Sequence, residues 1–100
     1  SAAAAAVRVT DTVKVVDESD FITATPERAS LRAAQTPQVF ERQLYARALA
    51  EFGGDCTDDC ALVEKTGTRV KLVEGDYSNI KITTPIDLTV ARALIEEGRI

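Results

Sequence analysis

The chain has 100 residues, sixteen acidic against twelve basic for a formal charge of −4, and contains no His, Met or Trp. That balance argues against a nucleic-acid binder, whose domains usually carry a clustered basic surplus. The missing His excludes a Ser-His-Asp or Cys-His nucleophile pair, or a His-containing zinc site, built from this chain alone.

One hundred residues make one small domain, and its 45% apolar content includes fifteen Ala, with only Phe21, Phe40, Tyr45, Phe52 and Tyr77 aromatic. A thin core is expected, one that needs a partner surface or further chain. Ser1 to Val9 opens as an apolar segment in which Ala2–Ala6 fits a buried strand, a frayed end or an artificial extension. Thr12–Val16 and Phe21–Thr25 are β-rich runs around Asp17-Glu18-Ser19-Asp20, which predicts a hairpin. Thr36 then reads as the cap of a helix whose first residue is Pro37, with Phe40, Leu44, Tyr45, Ala48 and Phe52 at helical steps and Gly53-Gly54 as the stop. A shorter helix fits Asp59–Thr66, capped by Thr57 or Asp58 and ended by Gly67. Strands are expected at Arg69–Glu74 and Asn79–Thr83, the latter placing Ile80 and Ile82 on one face and Lys81 on the other. Thr84-Pro85-Ile86-Asp87 starts a capped final helix carrying Leu88, Ala91, Leu94 and Ile95 inward, before Gly98.

No apolar run approaches the roughly 20 residues of a bilayer span, and the Ala-rich start lacks a signal peptide's basic flank, so a soluble cytoplasmic protein with no membrane or nucleic-acid partner is expected. Cys56 and Cys60, too few for a structural zinc site, read as an inert reduced pair. Lys81 is the first candidate for chemistry: a cation just before a helix N-terminus can complete a phosphate pocket. Thr12, Arg28 and Thr36 sit at element boundaries, where Arg offers a planar fork for phosphate and Thr a neutral donor. Asp76, after Gly75, is either a turn-former or a site carboxylate. There is no Walker loop, G-x-G-x-x-G or EF-hand loop.

Several segments in order carry a resemblance: Val9-Thr10-Asp11-Thr12-Val13-Lys14, Arg28, Ala34-Gln35-Thr36-Pro37-Gln38-Val39-Phe40, Thr57-Asp58-Asp59, and Asn79-Ile80-Lys81-Ile82-Thr83-Thr84-Pro85. Together they resemble the C-terminal part of the 2-C-methyl-D-erythritol 4-phosphate cytidylyltransferases, over nearly the whole chain. The resemblance implies an α/β fold, the C-terminal part of a Rossmann-like nucleotidyltransferase, with a projecting β-arm at about residues 10–34 that reaches across a homodimer. It implies transfer of a cytidylyl group from CTP to a polyol phosphate with magnesium. The Gly-rich CTP loop and the metal ligand belong to an N-terminal half that this stretch does not contain, and no catalytic residue is assigned here. By the same resemblance, Thr12, Arg28, Thr36, Thr57 and Lys81 bind the substrate, with Asp76 as a further candidate. The D-ribitol 5-phosphate cytidylyltransferases share these segments; Lys14 after Asp11-Thr12-Val13 favours methylerythritol. A non-catalytic dimerisation and substrate-contact module is the alternative of a different class.

Overall fold

The structure is a computed structural model that describes residues 1–54 and 56–99. Its elements are β1 (Ala2–Arg8), β2 (Val15–Val16), β3 (Ile22–Ala24), a 3-10 turn (Arg28–Ser30), β4 (Arg32–Phe40), α1 (Arg42–Phe52), α2 (Asp59–Glu64), β5 (Lys71–Glu74) and α3 (Pro85–Glu96). Three strands form a mixed sheet in the order β4-β1-β5, antiparallel between β1 and β4 and parallel between β1 and β5. The chain is α/β, as expected.

The alanine run is the buried middle strand. Ala2, Ala48, Leu62 and Val63 form the core where β1 meets α1 and α2, with Phe40, Leu44, Tyr45, Cys56 and Val70 packed on it. Val63 is the one large side chain wholly buried among the described residues, whereas Ile86 and Phe21 are each 71% exposed. Burying a Val or Leu contributes about 1.5–3 kcal/mol, against about 1–2 kcal/mol of backbone entropy for each residue ordered. The core is thin, as the composition predicts.

β2 and β3 form the predicted hairpin with a shorter ladder, Val15 pairing with Ala24 and Val16 with Ile22. Asp17 Oδ1 accepts from Ser19 N at 2.9 Å and Phe21 N at 3.0 Å, and Asp20 takes a positive φ of 64° to close the turn. Every residue from Asp11 to Thr25 is exposed. The radius of gyration is 16.3 Å, where a compact domain of this length has about 13 Å.

Two expectations fail. Thr36 and Pro37 do not start a helix: they lie inside β4, and α1 begins at Arg42. Across β4 and β1, Gln38 pairs with Ala4 and Ala34 with Ala6, so Gln35, Thr36 and Pro37 together stand opposite Ala5. Such an irregularity on a flanking strand accepts a residue without an N–H, and a cis Thr36–Pro37 bond sits in it. Asn79–Thr83 is no strand either; it runs as irregular chain, with Ile82 56% exposed. Its alternation finds no strand to pair with among the described residues.

The remaining helices start and stop by their local signals, but the expected inward stripe of α3 is only partly buried: Ala91 is buried and Leu94 half-buried, whereas Leu88 and Ile95 are exposed, because no described element packs over that face. Asp58, not Thr57, caps α2, its carboxylate accepting from Ala61 N, and α2 ends at Glu64. Gly67, at φ 85°, turns the chain toward β5, which starts at Lys71, two residues later than expected. In α3, Asp87 Oδ2 accepts from Thr84 N and Thr83 N, each at 3.0 Å, which closes the predicted capping box. Among the described residues no helix is long and apolar enough to cross a membrane.

Candidate functional site

β4, α1, the loop entering α2 and the irregular chain at residues 79–81 enclose an open cleft of about 860 Å³. Its polar lining includes Thr36 from β4, Thr57 from the loop and Lys81 from the segment before α3. These are three of the residues singled out in the sequence, more than twenty positions apart along the chain and gathered by the fold. No carboxylate among the described residues is ion-paired with Lys81. The cleft therefore holds one ammonium without an ion pair and two threonines, donors suited to an anion such as a phosphate, together with the Asp58 and Asp59 carboxylates, which already accept bonds from Gln38, Ala61 and Tyr45.

Lys81 does not reach that position in the way its sequence suggests. The N-terminus of α3 is already closed by its own Asp87, which accepts from the Thr83 and Thr84 N–H groups and both hydroxyls at 3.0 Å. Those donors, first the Thr83 amide and then the Thr84 amide, hold the carboxyl down at about 2. Lys81 and Ile80 both line the cleft together with residues of β4 and α2, so Ile80 is not set on an opposite core face.

Two glutamines of β4, absent from the sequence-derived candidates, hold the cleft's walls. Gln38 Nε2 donates to Asp58 Oδ2 at 3.2 Å, and its Oε1 accepts from Cys60 N at 3.2 Å. One amide thus satisfies both the cap residue of α2 and one of the orphan amides of that helix. Gln35 Nε2 donates to the carbonyls of Asp76 at 2.8 Å and Asn79 at 3.0 Å, and Asn79 Nδ2 returns a 2.6 Å bond to Thr36 O. Across the opening, Tyr45 stacks on Phe40 with centroids 5.8 Å apart and donates to Asp59 Oδ1 at 3.0 Å. The bond to Asp59, then burial and the Asp59 charge, push the phenol's pKa above its ordinary value. The one signal available in the sequence was residue type: two amide side chains, each able to donate and accept, in an otherwise strand-like run.

Three other candidates lie outside the cleft. Arg28 is exposed in the 3-10 turn, its Nη1 donating to Thr10 O at 2.9 Å, and Thr12 is exposed on the adjoining arm. Asp76 is a turn-former: its Oδ1 accepts from Ser78 N at 2.9 Å and Ser78 Oγ at 2.7 Å, bonds that hold its pKa below the ordinary value. Cys56 lines the cleft and Cys60 is buried, both free. Burial, then Asp58, Glu64 and Asp59, pushes the Cys60 thiol up and disfavours its reactive thiolate.

An α/β sheet whose flanking strand and loops gather a lysine and two threonines into one cleft fits a segment of a nucleotidyltransferase. The family model described as "IspD: 2-C-methyl-D-erythritol 4-phosphate cytidylyltransferase" matches residues 1–97, and the chain belongs to that family. A 2-C-methyl-D-erythritol 4-phosphate cytidylyltransferase of Caldanaerobacter subterraneus subsp. tengcongensis is 56% identical over 99 residues, covering 96% of this chain and 44% of that protein. One from Rhodococcus jostii is 54% identical over 90 residues, covering 90% of this chain and 40% of that protein. Among solved structures, the 4-diphosphocytidyl-2C-methyl-D-erythritol synthase of Anaerococcus prevotii superposes with a TM-score of 0.85 at 36% identity, over 95% of this chain and 44% of that one. The 2-C-methyl-D-erythritol 4-phosphate cytidylyltransferase of Thermus thermophilus gives 0.78 at 36% identity, over 95% and 48%. The chain spans less than half the length of these relatives.

Proposed function

We propose that this stretch is the polyol-phosphate half of an enzyme that transfers a cytidylyl group from CTP to 2-C-methyl-D-erythritol 4-phosphate. The substrate's phosphate oxygen attacks the α-phosphorus of CTP, the bond to the β-phosphate bridge breaks, and pyrophosphate leaves, giving the CDP-alcohol for isoprenoid precursor synthesis. The observation that carries this reading is the convergence of Lys81, Thr36 and Thr57 on one cleft in a chain whose reported relatives all carry that activity in their names. The ammonium and hydroxyls hold the substrate's phosphate and so fix the attacking oxygen, which is how positioning lowers such a barrier.

Thr12 and Arg28, on the exposed arm, act in this reading on the neighbouring subunit's cleft in a cytoplasmic homodimer. The exposed Val15, Val16, Phe21 and Ile22 of the hairpin support the arm as a contact surface. Magnesium does not fit the described residues: no group of three or more Cys, Asp or Glu is gathered to hold it. Asp58 and Asp59 already accept bonds from Gln38, Ala61 and Tyr45. In this reading the ion's ligands lie in the part of the longer protein outside this stretch.

The test is pyrophosphate release from CTP by the full-length enzyme, with methylerythritol phosphate and ribitol 5-phosphate compared. Preference for the first is expected. Preference for ribitol 5-phosphate, or no turnover with either, overturns the reading.

A further inference from the structure

We propose that Gln35 is a positioning residue for the substrate's phosphate: it makes no contact with substrate, but holds the 76–80 loop so that Lys81 stands in the cleft. The inference rests on the function proposed above. Both N–H groups of the Gln35 amide are taken by backbone carbonyls, of Asp76 at 2.8 Å and Asn79 at 3.0 Å. Because both neighbours are acceptors, the amide can sit only with its nitrogen toward them. Its other atom, Oε1, is buried and has no hydrogen-bond partner among the described residues. Gln35 thus offers a ligand no accessible polar atom, its donors being taken and its oxygen buried, although it lines the cleft.

What Oε1 meets instead is a glycine. A Cβ built on Gly75 would collide with Gln35 Oε1 and would come within 3.3 Å of Ala6 O. Gly75 is not among the glycines with positive φ, so its backbone does not require glycine. The space does. The Gly75 N–H donates to Ala6 O at 2.8 Å, which anchors the start of the loop to β1, while Gln35 and Asn79 anchor its end to β4. Lys81 follows two residues after Asn79 and inherits that placement.

A group holding two carbonyls at the loop's ends sets where a lysine ammonium meets phosphate, and misplacement of such a contact weakens binding by about ten- to a hundredfold. In the full-length enzyme, Gln35→Glu keeps the side chain's shape but turns a carboxylate onto both carbonyls. It should raise KM for the polyol phosphate by about ten- to a hundredfold while leaving KM for CTP within about twofold. Amide exchange at residues 77–81 should quicken in the same variant. Gly75→Ala should reproduce both effects by displacing the amide. In a Gln35→Ala background, where the obstructing oxygen is gone, adding Gly75→Ala should change little further, since the Ala6 carbonyl, 3.3 Å away, has only to give slightly.

A merely structural role would raise both KM values together or lower thermal stability without splitting them. That result, or unchanged polyol-phosphate KM in Gln35→Glu, or additive damage from the two substitutions, overturns the inference. A wild-type enzyme that turns over neither polyol phosphate removes the proposed function and this inference with it. An active wild type whose variants show no KM split removes the inference alone.

Discussion

The phenol of Tyr45 donates a 3.0 Å hydrogen bond to Asp59 Oδ1, tying the first turn of α1 to the first residue of α2 beside the cleft. The pair joins two elements that otherwise meet through the small core around Ala48, Leu62 and Val63.

That bond makes Tyr45 a weaker acid than an ordinary tyrosine, since ionising it would set a phenolate against a carboxylate. A raised folded-state pKa means that the bond's contribution to stability is intact below about pH 10 and is lost as pH rises through the higher folded value. Asp59→Asn removes the charge while keeping an acceptor, so Tyr45 should titrate closer to the ordinary value. Ring-carbon chemical shifts followed against pH would check this; a Tyr45 midpoint that does not fall would show that Asp59 is not the cause.

Asp87 supplies the opposite case. Its folded pKa of about 2 lies below the ordinary 3.8, so its contribution is present above about pH 4 and is lost as pH falls toward about 2. Wild type should melt above Asp87→Asn at neutral pH, and the gap should narrow steadily below about pH 4. A gap independent of pH would mean that the carboxylate charge plays no part in holding the start of α3.

Gln38 joins β4 to the α2 cap through two 3.2 Å bonds. Gln38→Leu strips the partner from a half-buried Cys60 N–H and from Asp58, and should destabilise the full-length protein by about 1–3 kcal/mol in urea unfolding. Asp58→Ala, a lost helix cap, should cost about 0.5–2 kcal/mol. Because both serve the same helix end, the double variant should lose less than the two together; simple additivity would show that they act apart.

Lys81→Ala in the complete enzyme should raise KM for the polyol phosphate by about ten- to a hundredfold, the usual cost of a charge-assisted hydrogen bond, with CTP affinity nearly unchanged. Arg28→Ala should do the same even though Arg28 lies outside this chain's cleft. Mixing the two impaired variants should then restore up to about a quarter of wild-type activity, through the one intact site of each mixed dimer. No recovery after confirmed subunit exchange would place both residues in one subunit's site.

Much of this structure is written in short-range chemistry. Thr84-Pro85-Ile86-Asp87, Asp58 before α2, Gly67 and the Asp17–Asp20 turn each act on neighbours within a few positions, and each is legible in the sequence. Thr36-Pro37 gives the same local signal as a helix start, but it is overruled by β1, more than thirty residues away, which pairs with both sides of it. Asn79–Thr83 alternates like a strand, yet a strand exists only where another offers its edge. The site divides in the same way. Lysine and threonines declare their chemistry by type, whereas Gln35 has partners 41 and 44 positions away and Gln38 has partners 20 and 22 away, distances at which no spacing rule operates.

Only β1 stands between β4 and β5, and across that one strand Gln35 reaches the chain that leaves β5. Opposite Gln35, Thr36 and Pro37 that strand carries Ala5, with Ala4 and Ala6 on either side. Where Gly75 donates to Ala6 O, it also meets the end of the Gln35 side chain, so the two flanks of the sheet touch across this small-residue strand. A Leu or Phe at one of these positions would bury more apolar surface, yet it would part the flanks. What looks in the sequence like a featureless apolar start is the middle strand that sets the spacing between the two flanks of the sheet.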